Sequence, residues 1–143
     1  MIKQLVIVLA SVMLAACSGS REDVRVTLCK DLVSEINSQE ITPSWDQEQV
    51  SYKGYEDMEV AISFSRSGSQ SNISCFYPYD TADENVMTHA DPASAYDTYP
   101  SAVKYNGELL DSKDLASKIN RVLIKQGKQA IAKGQEAIKT TLQ

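Results

Sequence analysis

The sequence is poor in the side chains that chemistry most often uses. Its 143 residues hold one histidine, one tryptophan, two phenylalanines and three cysteines. With one cysteine spent as argued below, one His and two Cys fall short of the four ligands a closed zinc site wants. The single histidine, His89, stands two residues before Asp91 in an acidic stretch; with no nucleophile patterned beside it, it reads as a surface residue. The sequence has no G-x-S-x-G, H-E-x-x-H, P-loop or G-x-G-x-x-G pattern. Asp80, Asp83 and Glu84 miss the spacing of a calcium loop. No catalytic residue, metal ligand or cofactor site is therefore assigned. Nucleic-acid binding is excluded as well, because it wants aromatics on a basic face and the aromatics here fall in the acidic part of the chain. Long apolar runs are also missing. The longest, Leu5–Ala16, is twelve residues broken by Ser11, against the roughly 20 that a membrane-spanning helix needs. What remains is ordinary for a globular chain, with 43% hydrophobic and 23% charged residues, in a length that suits one domain.

That short apolar run has the form of a targeting segment. Lys3 precedes it, and it ends in Leu14-Ala15-Ala16-Cys17, followed by Ser18-Gly19-Ser20. This resembles the lipobox of bacterial lipoproteins. The resemblance covers only the signal and the lipobox. It implies cleavage before Cys17, a diacylglyceryl group on the Cys17 thiol and usually a further fatty acid, such as palmitate, on the new amino group. Residues 1–16 would then be a removed signal peptide and 17–20 a lipidated tether. Each buried CH₂ contributes roughly 0.8 kcal/mol, so two or three chains hold a protein firmly where one binds reversibly. In Gram-negative lipoproteins an Asp after the lipidated Cys commonly retains the protein at the inner membrane. Ser18 stands there instead, so the resemblance implies the outer membrane, facing the periplasm, for a Gram-negative source.

Two cysteines remain, Cys29 and Cys75. In an oxidising envelope an even pair reads first as a disulfide, ahead of two buried thiols. Leu28, Cys29, Leu32, Val33 and Ile36 share one face of a helix, and Ile73, Cys75, Tyr77 and Tyr79 alternate along a strand. A bridge would pin that helix to the sheet. The redox C-x-x-C spacing is absent.

The rest predicts an α+β domain. Ser20 and Asp23 form a candidate capping box for a helix from about Arg21 to Asn37. Residues 38–47, with Pro43 and Trp45, read as a loop, Trp45 serving as a lid on the core. A short strand opens at Val50 and Tyr52. Met58, Val60, Ile62 and Phe64 alternate with Glu59, Ala61, Ser63 and Ser65, the strongest strand pattern in the chain. A third strand runs from Asn72 to Tyr79, ended by Pro78. These make an antiparallel meander covered by the first helix. Residues 80–100 form a long acidic connection with a helical turn at Glu84–His89. Asn106-Gly107 between apolar runs signals a two-residue hairpin. A long C-terminal helix then runs from about Ser112 to Leu142, with Asp111 or Ser112 as its N-cap and Leu115, Ile119, Val122 and Leu123 on its apolar face. Its distal part repeats at seven residues, stacking Ile124, Ile131 and Ile138 beside Gly127 and Gly134. Such a tail either packs closely through its small residues or frays, since each glycine costs about 1 kcal/mol of helix propensity.

Charge divides unevenly. Residues 21–110 carry 6 basic and 16 acidic side chains, net −10; residues 111–143 carry 7 basic and 3 acidic, net +4. The basic helix is expected to lie on the acidic body, to meet an anionic surface or partner, or to stand as a solvated helix with no electrostatic role. Tyr77, Tyr79, Tyr96, Tyr99 and Tyr105 supply a second candidate surface in the 77–105 segment; alternating strand tyrosines also serve simply as sheet-face residues. The expectation is thus a lipid-anchored envelope protein, non-enzymatic, that binds an envelope component through residues 111–143 or 77–105. Two alternatives stand beside it. One is a small envelope hydrolase, or modulator of one, working with carboxylates. The other is membrane-surface association through the basic C-terminal helix. Oligomeric state is left open.

Overall fold

The computed structural model describes residues 22–38, 43–52, 56–79 and 95–141. The order is a helix α1 (Val24–Ile36), strands β1 (Ser44–Ser51), β2 (Met58–Arg66), β3 (Ser69–Tyr77), β4 (Ala102–Tyr105) and β5 (Glu108–Leu109), and a helix α2 (Ser112–Thr141). The strands form one sheet in sequence order, every pair antiparallel. The expected α+β architecture is present, with five strands in the meander rather than three.

Alternation explains the sheet. Val60, Ile62 and Phe64 of β2, Ile73, Cys75 and Tyr77 of β3, and Val103 of β4 are buried on one face. The other face carries Gln47, Gln49, Ser63, Asn72 and Ser74 around a shallow recess. Two tight hairpins set the register. Ser67-Gly68 and Asn106-Gly107 all take positive φ, the twist a two-residue turn between right-handed strands requires. Asn106 is further fixed to β3 by hydrogen bonds in both directions with the Asn72 backbone, each 2.9 Å.

Helix α1 lays Val26, Leu28, Cys29, Leu32 and Val33 on the buried face. Its cap differs from the sequence expectation. Asp23, not Ser20, is the N-cap, its carboxylate accepting the Arg25 backbone N–H at 2.8 Å; Ser20 lies outside the described residues. The Cys29–Cys75 disulfide joins α1 to β3 with a Cα–Cα distance of 6.1 Å. Closing a loop of 46 residues contributes about 4 kcal/mol in the chain-entropy account.

The largest departure is β1. The reading of 38–47 as loop fails from Ser44 onward: the strand expected to open at Val50 and Tyr52 begins six residues earlier and is eight residues long, ending at Ser51. As an edge strand it shows little apolar alternation. A bulge between Trp45 and Gln47 then shifts the phase, so that Glu48 and Val50, rather than Gln47 and Gln49, oppose core positions Ile62 and Val60. Trp45 does cover the core as expected, edge-on to Phe64 at 5.7 Å with the Lys30 ammonium over its ring at 5.6 Å.

Candidate functional site: the docked and free halves of the C-terminal helix

Helix α2 begins on a conventional cap. The Asp111 carboxylate accepts the backbone N–H groups of Lys113 and Asp114 at 2.9 and 3.2 Å. Its first half belongs to the core, with Leu115 and Val122 buried and Leu110 and Ile119 packed beside them. Polar contacts hold this half to α1. The Arg121 guanidinium donates to the Glu35 carboxylate, and the Gln126 amide donates to Asp31 at 2.7 Å. A polar groove of about 600 Å³ runs between the helices, with Asp31, Glu35, Arg121 and Lys125 among its walls. Rising numbers on α2 meet falling numbers on α1, so the two helices run in opposite senses.

Beyond Gln126 the helix buries nothing further, although Gln129 still edges the groove. Every residue from Gly127 to Thr141 is exposed. A Cβ built on Gly127 or Gly134 would meet nothing within 4 Å. Neither sequence expectation for the tail is met: it does not pack through its small residues, and it is not frayed, since α2 is one unbroken helix to Thr141. The expectation that the basic helix lies on the acidic body holds only for the half ending at Gln126. Ile124, Ile131 and Ile138 are 59, 65 and 61% exposed. At seven-residue offsets they form a stripe that drifts only about 20° per heptad. Leu115 and Val122 form a stripe of the same period, which continues as Gln129 and Glu136. At 100° per residue the two stripes lie roughly 160° apart around the helix. The apolar side therefore switches where the helix leaves the domain, and the isoleucines face away from it.

The tyrosine segment is mostly spent on structure. Tyr77 is buried and its hydroxyl donates to the Arg25 carbonyl at 2.7 Å. Burial pushes its phenol far above the ordinary range, although the Arg25 charge beside it pulls the other way. Tyr96 stacks edge-on against Tyr79 at 5.6 Å and tilts against Tyr52 at 5.7 Å. Tyr105 donates to the Asn37 side-chain oxygen at 3.1 Å. Tyr99, 53% exposed, remains available.

Two latches escaped the sequence reading. Arg25 is buried and donates to the carbonyls of Asp97 and Tyr96 at 2.8 and 2.5 Å; it ties α1 to the end of the long connection. Asn37 ends α1, donating to Val33 O at 2.7 Å while accepting from Arg66 at 2.7 Å as well as from Tyr105. Only the Asp-x-Arg spacing of the first latch was visible in the sequence. A third contact ties the entry of the chain: Lys30 bridges Glu22 and Glu48. Burial lowers the Lys30 pKa, but the two carboxylates outweigh it and the net shift is upward. The hydrogen bond from Lys30 lowers that of Glu22.

Carboxylates gather at one place on the open sheet face, where Glu56, Asp57 and Glu59 surround a shallow depression against Phe76. Among the described residues no three His, Cys, Asp or Glu side chains are grouped to hold a metal ion, and no helix is long and apolar enough to cross a membrane. Cys17, Asp80, Asp83, Glu84, His89 and Asp91 lie outside the described residues. Compared with protein-family models, with curated proteins and with solved structures, the chain gives no match in any of the three.

Proposed function

We propose that the chain is a lipid-anchored envelope protein whose folded domain is a non-enzymatic binding module, with the free half of α2 as its contact surface. The lipobox resemblance at Leu14-Ala15-Ala16-Cys17 supports the anchor, and Ser18 supports the outer membrane for a Gram-negative source. The observation that carries the binding role is the exposed Ile124, Ile131 and Ile138 stripe. A seven-residue apolar repeat that turns away from its own core leaves area for something else. The rest of the molecule reads as its support. The disulfide and the Arg25 and Asn37 latches brace the base from which the arm projects.

A photoreactive amino acid placed at position 131 of the full chain, in cells, tests this. The expected result is a defined adduct with an envelope component that the same probe at position 104, on the open sheet face, does not give. Adducts only to residues 22–110 of the same chain would make the arm a structural element and overturn the binding role. Truncation is informative only after Gln126, because cutting earlier removes the Gln126–Asp31 contact and, further back, Val122 and Leu115 from the core. Labelled palmitate tests the anchor separately: incorporation should require Cys17.

A further inference from the structure

The direction of the arm, its charge and its stripe together indicate what covers it. The Arg121–Glu35 and Gln126–Asp31 contacts make α2 travel back along α1 toward the start of that helix. From Gln126 to Thr141 the axis advances about 22 Å, against about 11 Å from Asp31 back to Val24. The arm therefore overruns α1 on the side where the chain enters the domain. Cys17 stands five residues before Glu22, and five residues reach at most about 18 Å in any conformation. A lipid on Cys17 would hold a bilayer close to the end of the arm.

The arm's chemistry matches such a surface. Residues 127–141 carry Lys128, Lys133 and Lys139 against a single acid, Glu136. Lys128 and Lys139 lie within about 80° of Ile131 around the helix, close enough for their stems to follow the apolar stripe while their ammonium groups reach outward. The acidic body, net −10 over residues 21–110, would be repelled by an anionic surface, and the basic arm attracted. The isoleucines face away from the domain, so the domain does not obstruct the approach. A second copy is the weaker fit. A strip about 22 Å long and about 10 Å wide gives roughly 200 Å² a side, far below the about 800 Å² per partner of a standard interface.

We propose that the free half of α2 lies in the plane of an anionic phospholipid surface, a second membrane contact beside the lipid at Cys17; this rests on the anchored-module reading above and names the partner of its arm. The stripe enters the acyl boundary and Lys128 and Lys139 meet the phosphates, as in interfacial amphipathic helices.

The test uses the chain from residue 17 onward with Cys17→Ser, so that acylation plays no part. Vesicles of phosphatidylethanolamine with phosphatidylglycerol are compared with phosphatidylcholine alone. Expected are co-sedimentation with the anionic vesicles only, a fall of about tenfold or more as salt rises from about 0.05 to about 0.5 M, and slower amide exchange confined to residues 127–141. Ile131→Asp, at a position 65% exposed, should abolish binding without changing thermal stability. Absence of vesicle binding, or binding indifferent to Ile131→Asp, overturns the proposal. So does a dimer at micromolar concentration that Ile131→Asp dissolves, which would give the stripe to a second copy. Failure of palmitate labelling at Cys17 with vesicle binding intact would instead overturn the anchor and leave the arm as the membrane contact.

Discussion

The two halves of α2 are built from the same kinds of residue and meet different fates. In both halves apolar side chains recur at seven residues: Leu115 and Val122 in the docked half, and a second stripe that begins at Ile124 near its end and continues as Ile131 and Ile138 in the free half. The first pair is buried against α1 and the sheet, and the isoleucines stand in solvent. Phase makes the difference. Val122 and Ile124 are two residues apart, so their stripes sit roughly 160° apart on the helix, and one helix cannot turn both toward one core. Hydrophobic periodicity thus reveals that a helix has a face. Only the phase between successive stretches reveals whether that face is shared.

The contrast is broken most severely by paired truncations. Leu115→Ala should cost about 2–4 kcal/mol, because Leu115 is buried in the core and its truncation leaves a cavity there. Ile131→Ala should change global stability by less than about 0.5 kcal/mol, as a surface substitution without partners. Urea denaturation of the two variants beside the parent measures both. A cost near 2 kcal/mol for Ile131→Ala would mean that the arm packs on its own domain in solution.

The same contrast marks what the sequence made legible. Met58–Phe64, the Asn106-Gly107 turn and the apolar face around Cys29 declare themselves because strict alternation, an obligatory positive-φ pair and helical spacing each admit few other structures. The disulfide pairing followed because Cys29 and Cys75 are the pair left beside Cys17, and each sits on a face expected to be buried. Strand β1 was legible only at its end, around Val50. Its edge position needs no apolar alternation, and a bulge at Trp45/Gln47 inverts what pattern there is. The latches at Arg25 and Asn37 were illegible for another reason. Their partners, Tyr96, Asp97, Arg66 and Tyr105, are brought to them by tertiary folding alone. The arm was visible as a repeat, but whether it docked was not, since that depends on where α1 ends and how far the sheet extends beneath it.

A smaller effect sharpens the contrast on the docked side. The Tyr77 hydroxyl satisfies the buried Arg25 carbonyl, so Tyr77→Phe should cost about 1–2 kcal/mol near neutral pH. The phenol is raised above its ordinary value of 10.0, chiefly by burial. A group whose folded pKa is raised adds stability that is complete below its unfolded pKa and is lost as pH climbs toward the folded value. The parent should therefore weaken as pH rises above about 10, and Tyr77→Phe should show a shallower decline over the same range. Thermal unfolding of both proteins from neutral pH into that range measures the difference. Parallel curves would mean that Tyr77 ionises without unfolding its surroundings. The free half of α2 should contribute nothing to this limb, because Tyr77 contacts only the base on which the helix is mounted.

The smallest effect belongs to the free half itself. Gly127 and Gly134 occupy helical positions where a methyl group would meet no neighbour. Gly127→Ala and Gly134→Ala should each favour the local helix by about 1 kcal/mol. Little of that should reach global stability. Opening residues 127–141 separates no buried contact, so the arm unwinds by itself while the core stays closed. The expected signature is slower amide exchange from residue 127 onward, with the urea midpoint nearly unchanged. A midpoint shift equal to the full propensity gain would show that arm and core unfold as one cooperative unit. The docked half sets the contrast: there Leu115 and Val122 make helix opening inseparable from opening the core, and exchange of their amides should report the global unfolding free energy.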